Sequence, residues 1–367
     1  MRQLDPQVVQ DRKRRLLQWV IHSFIKTSRP IASQDISREA GLGLSSASVR
    51  SVLKELEEEG YLQQPHTSAG RVPTDKGYRF YVDYLTGVQR LASEEKERIE
   101  REYVSRVAEM DDLLSQTSRL LSHVSRSAGL VLSPKVEKQH LRRLELIPLG
   151  GQQVLAVLVT QAGLVRHWPI TLSFTPTASR INVLNRFLND NIQGKSIREV
   201  QATVEARIQQ ASRELAELGD LARKLVEEVG ELAQPNELYI GGTTNILAHP
   251  EDLGDPREMQ SLIRVMEDKQ GLAAMLDSIL EEERGHPSEP SLPLVRIGHE
   301  TRRRELKHVS LVASTYRWRG EVIGVLGVLG SRRMEYSRMI SLVNHIGAVV
   351  SKSLEGWDLA RSTKGGK

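Results

Sequence analysis

The sequence predicts a multidomain α+β protein, and three observations lead to that class. The first ninety residues carry three amphipathic helical stretches, separated by glycine-marked turns and followed by a hairpin-like run. Two clusters of β-branched segments, over 141–172 and 294–330, flank a long stretch of helical periodicity. With 367 residues and 39% apolar side chains, the chain is able to fill two or three ordinary cores.

Taken in order, the elements begin with a helix from Val8 to Ile25. Its apolar residues Val9, Leu16, Leu17, Val20, Ile21 and Phe24 recur at helical spacing, and Arg12, Lys13, Arg14 and Arg15 cluster near its start. After Pro30, "SQDISREA" predicts a short second helix with Ser33 as N-cap and Gly41 just past its end. A tight "GLGLS" turn leads into "SSASVRSVLKELEEEG", which puts Val49, Val52, Leu53 and Leu56 on one face and closes at Gly60. "YLQQ", the polar run "HTSAGRVPTD" and a helix capped by Thr74 complete the order helix, helix, tight turn, helix, hairpin. That order predicts a winged helix-turn-helix, in which the third helix enters the major groove and the hairpin meets the flanking backbone.

Beyond Leu91 an apolar stripe through Ile99, Tyr103, Met110, Leu113, Leu120 and Val124 predicts a long helix. Arg106 and Thr117 interrupt it, so it reads as a connector that packs on the next domain and not as a coiled coil. The segments "LRRLELIPLG", "QQVLAVLVT", "GLVRHWPITL", "LVRIG", "HVSLVASTYRW" and "EVIGVLGVLG" are expected to share one sheet. Between them, 197–232 and two stretches ending near Glu283 follow helical spacing, which makes a mostly helical insertion the simplest parse. The boundaries expected are 1–90 for the helix-turn-helix, 91–178 and 288–357 for the connector and the two parts of the sheet domain, 179–287 for the insertion and 358–367 for a flexible tail.

Composition narrows the function. There is no cysteine, which excludes disulfides, thiolate zinc sites and cysteine nucleophiles and fits a reducing compartment. The start, "MRQLDPQVVQDRKRR", lacks the apolar core of a secretory signal and no run is long enough for a bilayer, so a cytoplasmic protein without a membrane partner is expected. Residues 1–90 hold 14 Lys/Arg against 10 Asp/Glu, whereas the rest of the chain is balanced at 37 of each. The whole excess of +4 is N-terminal, as expected of a domain that neutralises phosphates.

The third helix presents Ser46, Ser48, Arg50, Ser51 and Lys54 away from its apolar face. Small hydroxyl residues let a helix sit deep in a major groove, and an arginine there is able to take guanine in bidentate fashion. In the polar run, His66, Thr67 and Ser68 surround the tip, Gly70 marks a turn and Arg71 stands on the returning strand, all as donors to phosphate oxygens. The acidic run from Glu57 to Glu59 must point away from a duplex.

"GLGLSSASVRSVLKELEEEGYLQQPHTSAGRVPTDKGYRFYVDYL" resembles the N-terminal signature of the HrcA heat-inducible transcription repressors. The resemblance continues through "LELIPLG", "LNDNIQGKSI", "LYIGGTTNIL", "RIGHE" and "LGVLGSRRMEYSRMISLV". It implies a winged-helix DNA-binding domain, a GAF-like sheet domain and an inserted dimerisation domain. It further implies a homodimer that represses chaperonin and DnaK-type operons by binding the CIRCE inverted repeat in double-stranded DNA, with the chaperonin GroEL as regulatory partner. An inverted repeat suits a two-fold dimer.

No catalytic role is expected. The ten histidines show no HExxH pairing, and no phosphate-loop motif is present, so neither a metal nor another cofactor is expected. "GGTTN" at 241–245 reads as a turn, "RIGHE" as a strand whose His299 and Glu300 point to opposite faces, and "TRRRELK" as solvated surface. An alternative stays open: a winged-helix regulator that senses a small molecule through the GAF-like domain.

Overall fold

Helices α1 (Pro6–Thr27), α2 (Ser33–Glu39) and α3 (Ser46–Glu58) pack together beside a hairpin of β1 (Leu62–Gln63) and β2 (Val72–Pro73), and α4 (Asp75–Asp83) follows directly. The computed structural model describes residues 6–41, 43–66, 69–85, 96–97, 99, 110–134, 140–161, 165–171, 175, 177–192, 194–196, 199–200, 202–203, 206, 237–248, 256–284 and 293–362. The apolar faces meet in one core, with Leu16, Leu17, Val20 and Ile21 of α1 against Ile36, Val49, Leu53 and Leu56. Each such side chain contributes about 1.5–3 kcal/mol when withdrawn from water. Ser45 caps α3 by accepting from the Ser48 amide at 3.2 Å, and Thr74 caps α4 through the Gly77 amide at 3.2 Å. At α2 the N-cap is Ala32 and not Ser33; the Asp35 carboxylate, accepting from the Ala32 amide at 3.4 Å, supplies the terminal oxygen instead.

Downstream come α5 (Met110–Ser125), β3 (Ala128–Leu132), β4 (Leu141–Gly150), β5 (Gln153–Thr160), β6 (Val165–Thr171) and α6 (Ala178–Ile192). After them lie β7 (Leu238–Gly241), α7 (Pro256–Glu267), α8 (Lys269–Arg284), β8 (Leu294–Ile297), β9 (Val309–Trp318), β10 (Glu321–Ser331) and α9 (Tyr336–Ser362). The chain is thus a mixed α+β protein of several packed units. A five-stranded antiparallel sheet has the order β7, β3, β10, β9, β8. Its central strands are buried throughout, because α5 and α9 cover one face while α7 and α8 cover the other. Two covered faces explain why "AGLVL" and "EVIGVLGVLG" are continuous apolar runs without alternation. Thr117, an interruption in the connector's stripe, is buried with its hydroxyl donating to the Leu113 carbonyl at 2.6 Å, so α5 packs on β3 without a break.

The strands do not share one sheet. Among the described residues, β4, β5 and β6 pair as strands only with one another, in a second sheet. β7 pairs with β3, which brings the segment after 237 back to the first sheet. By strand pairing the chain leaves the five-stranded sheet after 132 and returns to it at 238, and α7 and α8 pack on that sheet. Residues 207–232 of the helical stretch expected over 197–232 lie outside the described residues, as do Tyr103 and Arg106 of the connector. Helix α6 closes one edge of the smaller sheet with amide side chains. Asn185 exchanges bonds with the Leu146 backbone (2.8 and 3.1 Å), and Asn189 does the same with Leu144 (3.1 and 2.7 Å). An i, i+4 asparagine pair thereby satisfies a strand edge that would otherwise offer free backbone groups.

Candidate nucleic-acid interface

Five of the nine expected polar residues are exposed, four of them along α3 and His66 at the hairpin turn. Ser48, Arg50, Ser51 and Lys54 are exposed along α3. Ser46 is turned towards α2, its hydroxyl 3.1 Å from that of Ser37, so it fastens the two helices together. Arg50 is steadied from α2 as well, its Nε donating to Ser33 Oγ at 3.3 Å while the side chain stays exposed. The bond uses Nε alone, and the outer nitrogens of an exposed guanidinium suit a base edge or a phosphate. Lys54 faces Glu58 at 3.7 Å, one turn on, where both side chains are mostly exposed and the pair contributes little.

The hairpin is tied down from beneath. Ile31 and Arg71 exchange two backbone bonds of 3.0 and 2.9 Å, which adds the α1–α2 connection as a third extended segment. Gly70 is required by that approach: a Cβ would collide with the Ile31 carbonyl and lie 2.7 Å from the Pro30 carbonyl carbon. His66 is exposed at the turn, where its carbonyl accepts from Ala69 at 2.8 Å. Thr67 and Ser68 lie outside the described residues. Arg71 is placed differently from the tip residues. Its guanidinium meets Glu57 at 2.9 Å, and its side chain is only 19% exposed.

That pair is half of an arrangement the sequence did not disclose. The carboxylates at the end of α3 are held by cations from neighbouring elements: Lys13 of α1 reaches Glu55 at 3.3 Å and Glu59 at 2.6 Å, and Arg71 takes Glu57. Lys76 also donates to the Glu59 carbonyl at 2.8 Å. The acidic end is thus partly neutralised from within, while Arg12, Arg14 and Arg15 remain exposed on α1. Their clustering in the sequence was the available signal.

Helix α4 joins this unit to the five-stranded sheet. Asp75 accepts from the His299 amide (3.2 Å) and from Arg332 Nη1 (2.6 Å), and lies 2.8 Å from His299 Nδ1. Burial pushes the Asp75 carboxyl up, but the bonds to His299 and Arg332 outweigh it and hold the group below the usual aspartate range. Arg79 forms a two-pronged pair with Glu300 and also donates to the Val295 carbonyl at 2.6 Å. The Tyr78 and Tyr336 rings pack 6.1 Å apart, and burial raises the Tyr336 hydroxyl pKa. His299 and Glu300 are not on a strand. They occupy a 3-10 turn, Gly298–Thr301, which lets consecutive side chains face the same helix. Nor is "TRRRELK" merely solvated, since Arg303 pairs with Asp268 at 3.0 Å and Lys307 with Glu258.

Among the described residues, no group of three His, Asp or Glu side chains is arranged to hold a metal ion, and no helix is long and apolar enough to cross a membrane. The fold and interface define a class: multidomain α+β proteins in which a small helical unit, whose outer helix exposes serine, arginine and lysine side chains, is docked by ion pairs onto a larger sheet-bearing unit. Comparison with known proteins gives the family. Residues 111–340 match the family described as HrcA protein C terminal domain. A heat-inducible transcription repressor HrcA of Geobacter sulfurreducens is 36% identical over 351 residues, covering 95% of this chain and 99% of the relative. One of the same name from Symbiobacterium thermophilum is 32% identical over 350 residues, covering 94% and 98%. A crystal structure of a hypothetical protein at 2.2 Å resolution superposes with a TM-score of 0.61 at 22% identity, covering 94% of this chain and 98% of that one, and so shares the fold. The chain belongs to the HrcA family of heat-inducible transcription repressors.

Proposed function

We propose that the N-terminal unit is a winged helix-turn-helix that reads a CIRCE-type inverted repeat, two copies of the chain placing their α3 helices in successive major grooves. Repression of chaperone operons then follows from promoter occlusion, with no reaction catalysed, and the GAF-like sheet unit carries the response to chaperonin. The observation that supports this best is the outer face of α3, where Ser48, Arg50, Ser51 and Lys54 are exposed together while Lys13 and Arg71 hold the acidic end. In this reading Ser46 fixes the helix pair, His66 with Thr67 and Ser68 meets the flanking backbone, and Arg71 supports the hairpin through Glu57.

The test is a titration of purified protein with a CIRCE-type repeat and a scrambled duplex at several salt concentrations, with and without chaperonin. A strong preference for the repeat, strengthened by chaperonin, is expected. Equal, weak and salt-sensitive binding to both duplexes in all conditions contradicts the reading. Arg50→Ala is expected to cost about 1–3 kcal/mol and to relax discrimination at one base position. A uniform loss on matched and mutated operators instead makes Arg50 a phosphate contact.

A further inference from the structure

The end of α1 does not close against the sheet unit. Between them lies a cleft of about 550 Å³, within the size range of small-molecule sites. Its walls mix two kinds of surface. Ile25, Val124, Ile246, Met334 and Met339 give an apolar lining, while four cations come from two helices and two connections: Lys26 of α1, Arg126 between α5 and β3, Arg333 of the loop before α9 and Arg338 of α9. Among the described residues that line the cleft, Glu335 is the one carboxylate against them. Such a concentration is notable because the chain beyond residue 90 is balanced in charge.

The two outer cations are uncommitted, since neither Lys26 nor Arg126 forms an ion pair with another described residue. Arg338 is fixed from behind by donating to the Val124 carbonyl at 3.1 Å. The backbone adds an independent mark. Ser28 and Arg126, each just past the end of a helix and each lining the cleft, have positive φ angles of 60° and 54°. Glycine or asparagine ordinarily fills that position, so an arginine there is retained at a cost in backbone energy. The "GGTTN" segment contributes as well: Asn245 lines the cleft while donating to Ser122 Oγ at 2.8 Å, which braces the loop.

We propose that this cleft binds a small phosphorylated molecule with an apolar or aromatic body, and that the bound molecule bridges the helical and sheet units. The cations take the phosphate, and the isoleucine, valine and methionine side chains take the body. Lys26 is the helical unit's contribution and Arg126 the sheet unit's, so both are needed for a bridge. The inference goes beyond operator binding and is read without DNA.

Calorimetric titration of the full chain with ATP, AMP and pyrophosphate tests it. Saturable binding of ATP or AMP below 1 mM on the order expected for such sites, tighter than pyrophosphate, is the expected result. Lys26→Glu and Arg126→Glu should each weaken it about tenfold or more, equivalent to about 1.4 kcal/mol. Lys26→Gln, a milder change, should do so in the same direction. Arg319→Glu is the control, since Arg319 also has a positive φ, 49°, but lies on the β9–β10 turn away from the cleft. No saturable binding of any of the three probes overturns the proposal, and so does equal weakening by Arg319→Glu. Binding that depends on Arg126 but not on Lys26 overturns the bridge.

Discussion

Docking of α4 on the sheet unit rests on a close approach that a single methyl group should break. Gly298 has φ of 51°, and a Cβ built on it would collide with the Asp75 carboxylate, lying 2.7 Å from its Cγ. Gly320 has φ of 81° but nothing within 4 Å of the same position. Alanine at Gly320 therefore costs only the left-handed backbone, about 1–2 kcal/mol. Alanine at Gly298 costs that and also displaces the carboxylate from at least one of its charge-assisted bonds, worth about 1.5–3 kcal/mol, for a total of about 2.5–5 kcal/mol. Thermal unfolding of both variants, followed by calorimetry, should show Gly298→Ala lowering its transition clearly further than Gly320→Ala. Hydrogen exchange should rise in α4 and the 298–301 turn in that variant alone. Asp75→Ala should cost less in the Gly298→Ala background than in the native chain, because the two changes remove the same contact. Equal shifts for the two glycines, or strict additivity with Asp75→Ala, would refute the reasoning.

Three further expectations concern other contacts. Asp75 titrates below its ordinary value, so its contribution to docking is complete above about pH 4 and is lost as the pH falls through the folded-state value; the wild-type melting temperature should drop across that window more steeply than that of Asp75→Asn. Arg71→Ala should lower stability by about 1 kcal/mol through loss of the Glu57 pair and leave the salt slope of operator binding unchanged; a slope smaller by about one would show that Arg71 leaves Glu57 for phosphate. Asn189→Ala should cost about 2 kcal/mol in urea denaturation, because it strips both bonds from the Leu144 backbone, and a neutral result would mean that water satisfies that edge equally well.

What could be read from the sequence was local. Helical spacing of Leu16, Val20, Leu53 and Leu56 locates the N-terminal helices, and Ser45 and Thr74 cap where their side-chain chemistry places them. The face of α3 could be read for the same reason, since burial of Val49 and Leu53 leaves Arg50 and Lys54 outward. Sheet membership was hidden because β-branched content is identical whichever partner a strand finds. Nothing in "LELIPLG" distinguishes pairing with "VLAVLVT" from joining the larger sheet; the asparagines of α6, forty residues on, complete the distinction. The place of Arg71 was hidden likewise, because hairpin charge is readable but the proximity of Glu57 is a product of the fold. "RIGHE" misled as a strand because the chain turns at Gly298, where a neighbouring carboxylate, and not local propensity, decides the backbone.

The pairing of β3 with β10 also sets a schedule for synthesis. Ala128–Leu132 is fully buried in the finished sheet, but its partner Val325–Leu329 lies roughly 200 residues later in the chain. At about 5–20 residues per second, a ribosome leaves that strand without its central neighbour for tens of seconds. During the interval Leu130 and Val131 have only the growing excursion and α5 for company, and an apolar edge stays open to other chains. The nascent protein is consequently most exposed to aggregation in the middle of its own translation, and a cell short of chaperone capacity would lose newly made copies before it lost folded ones.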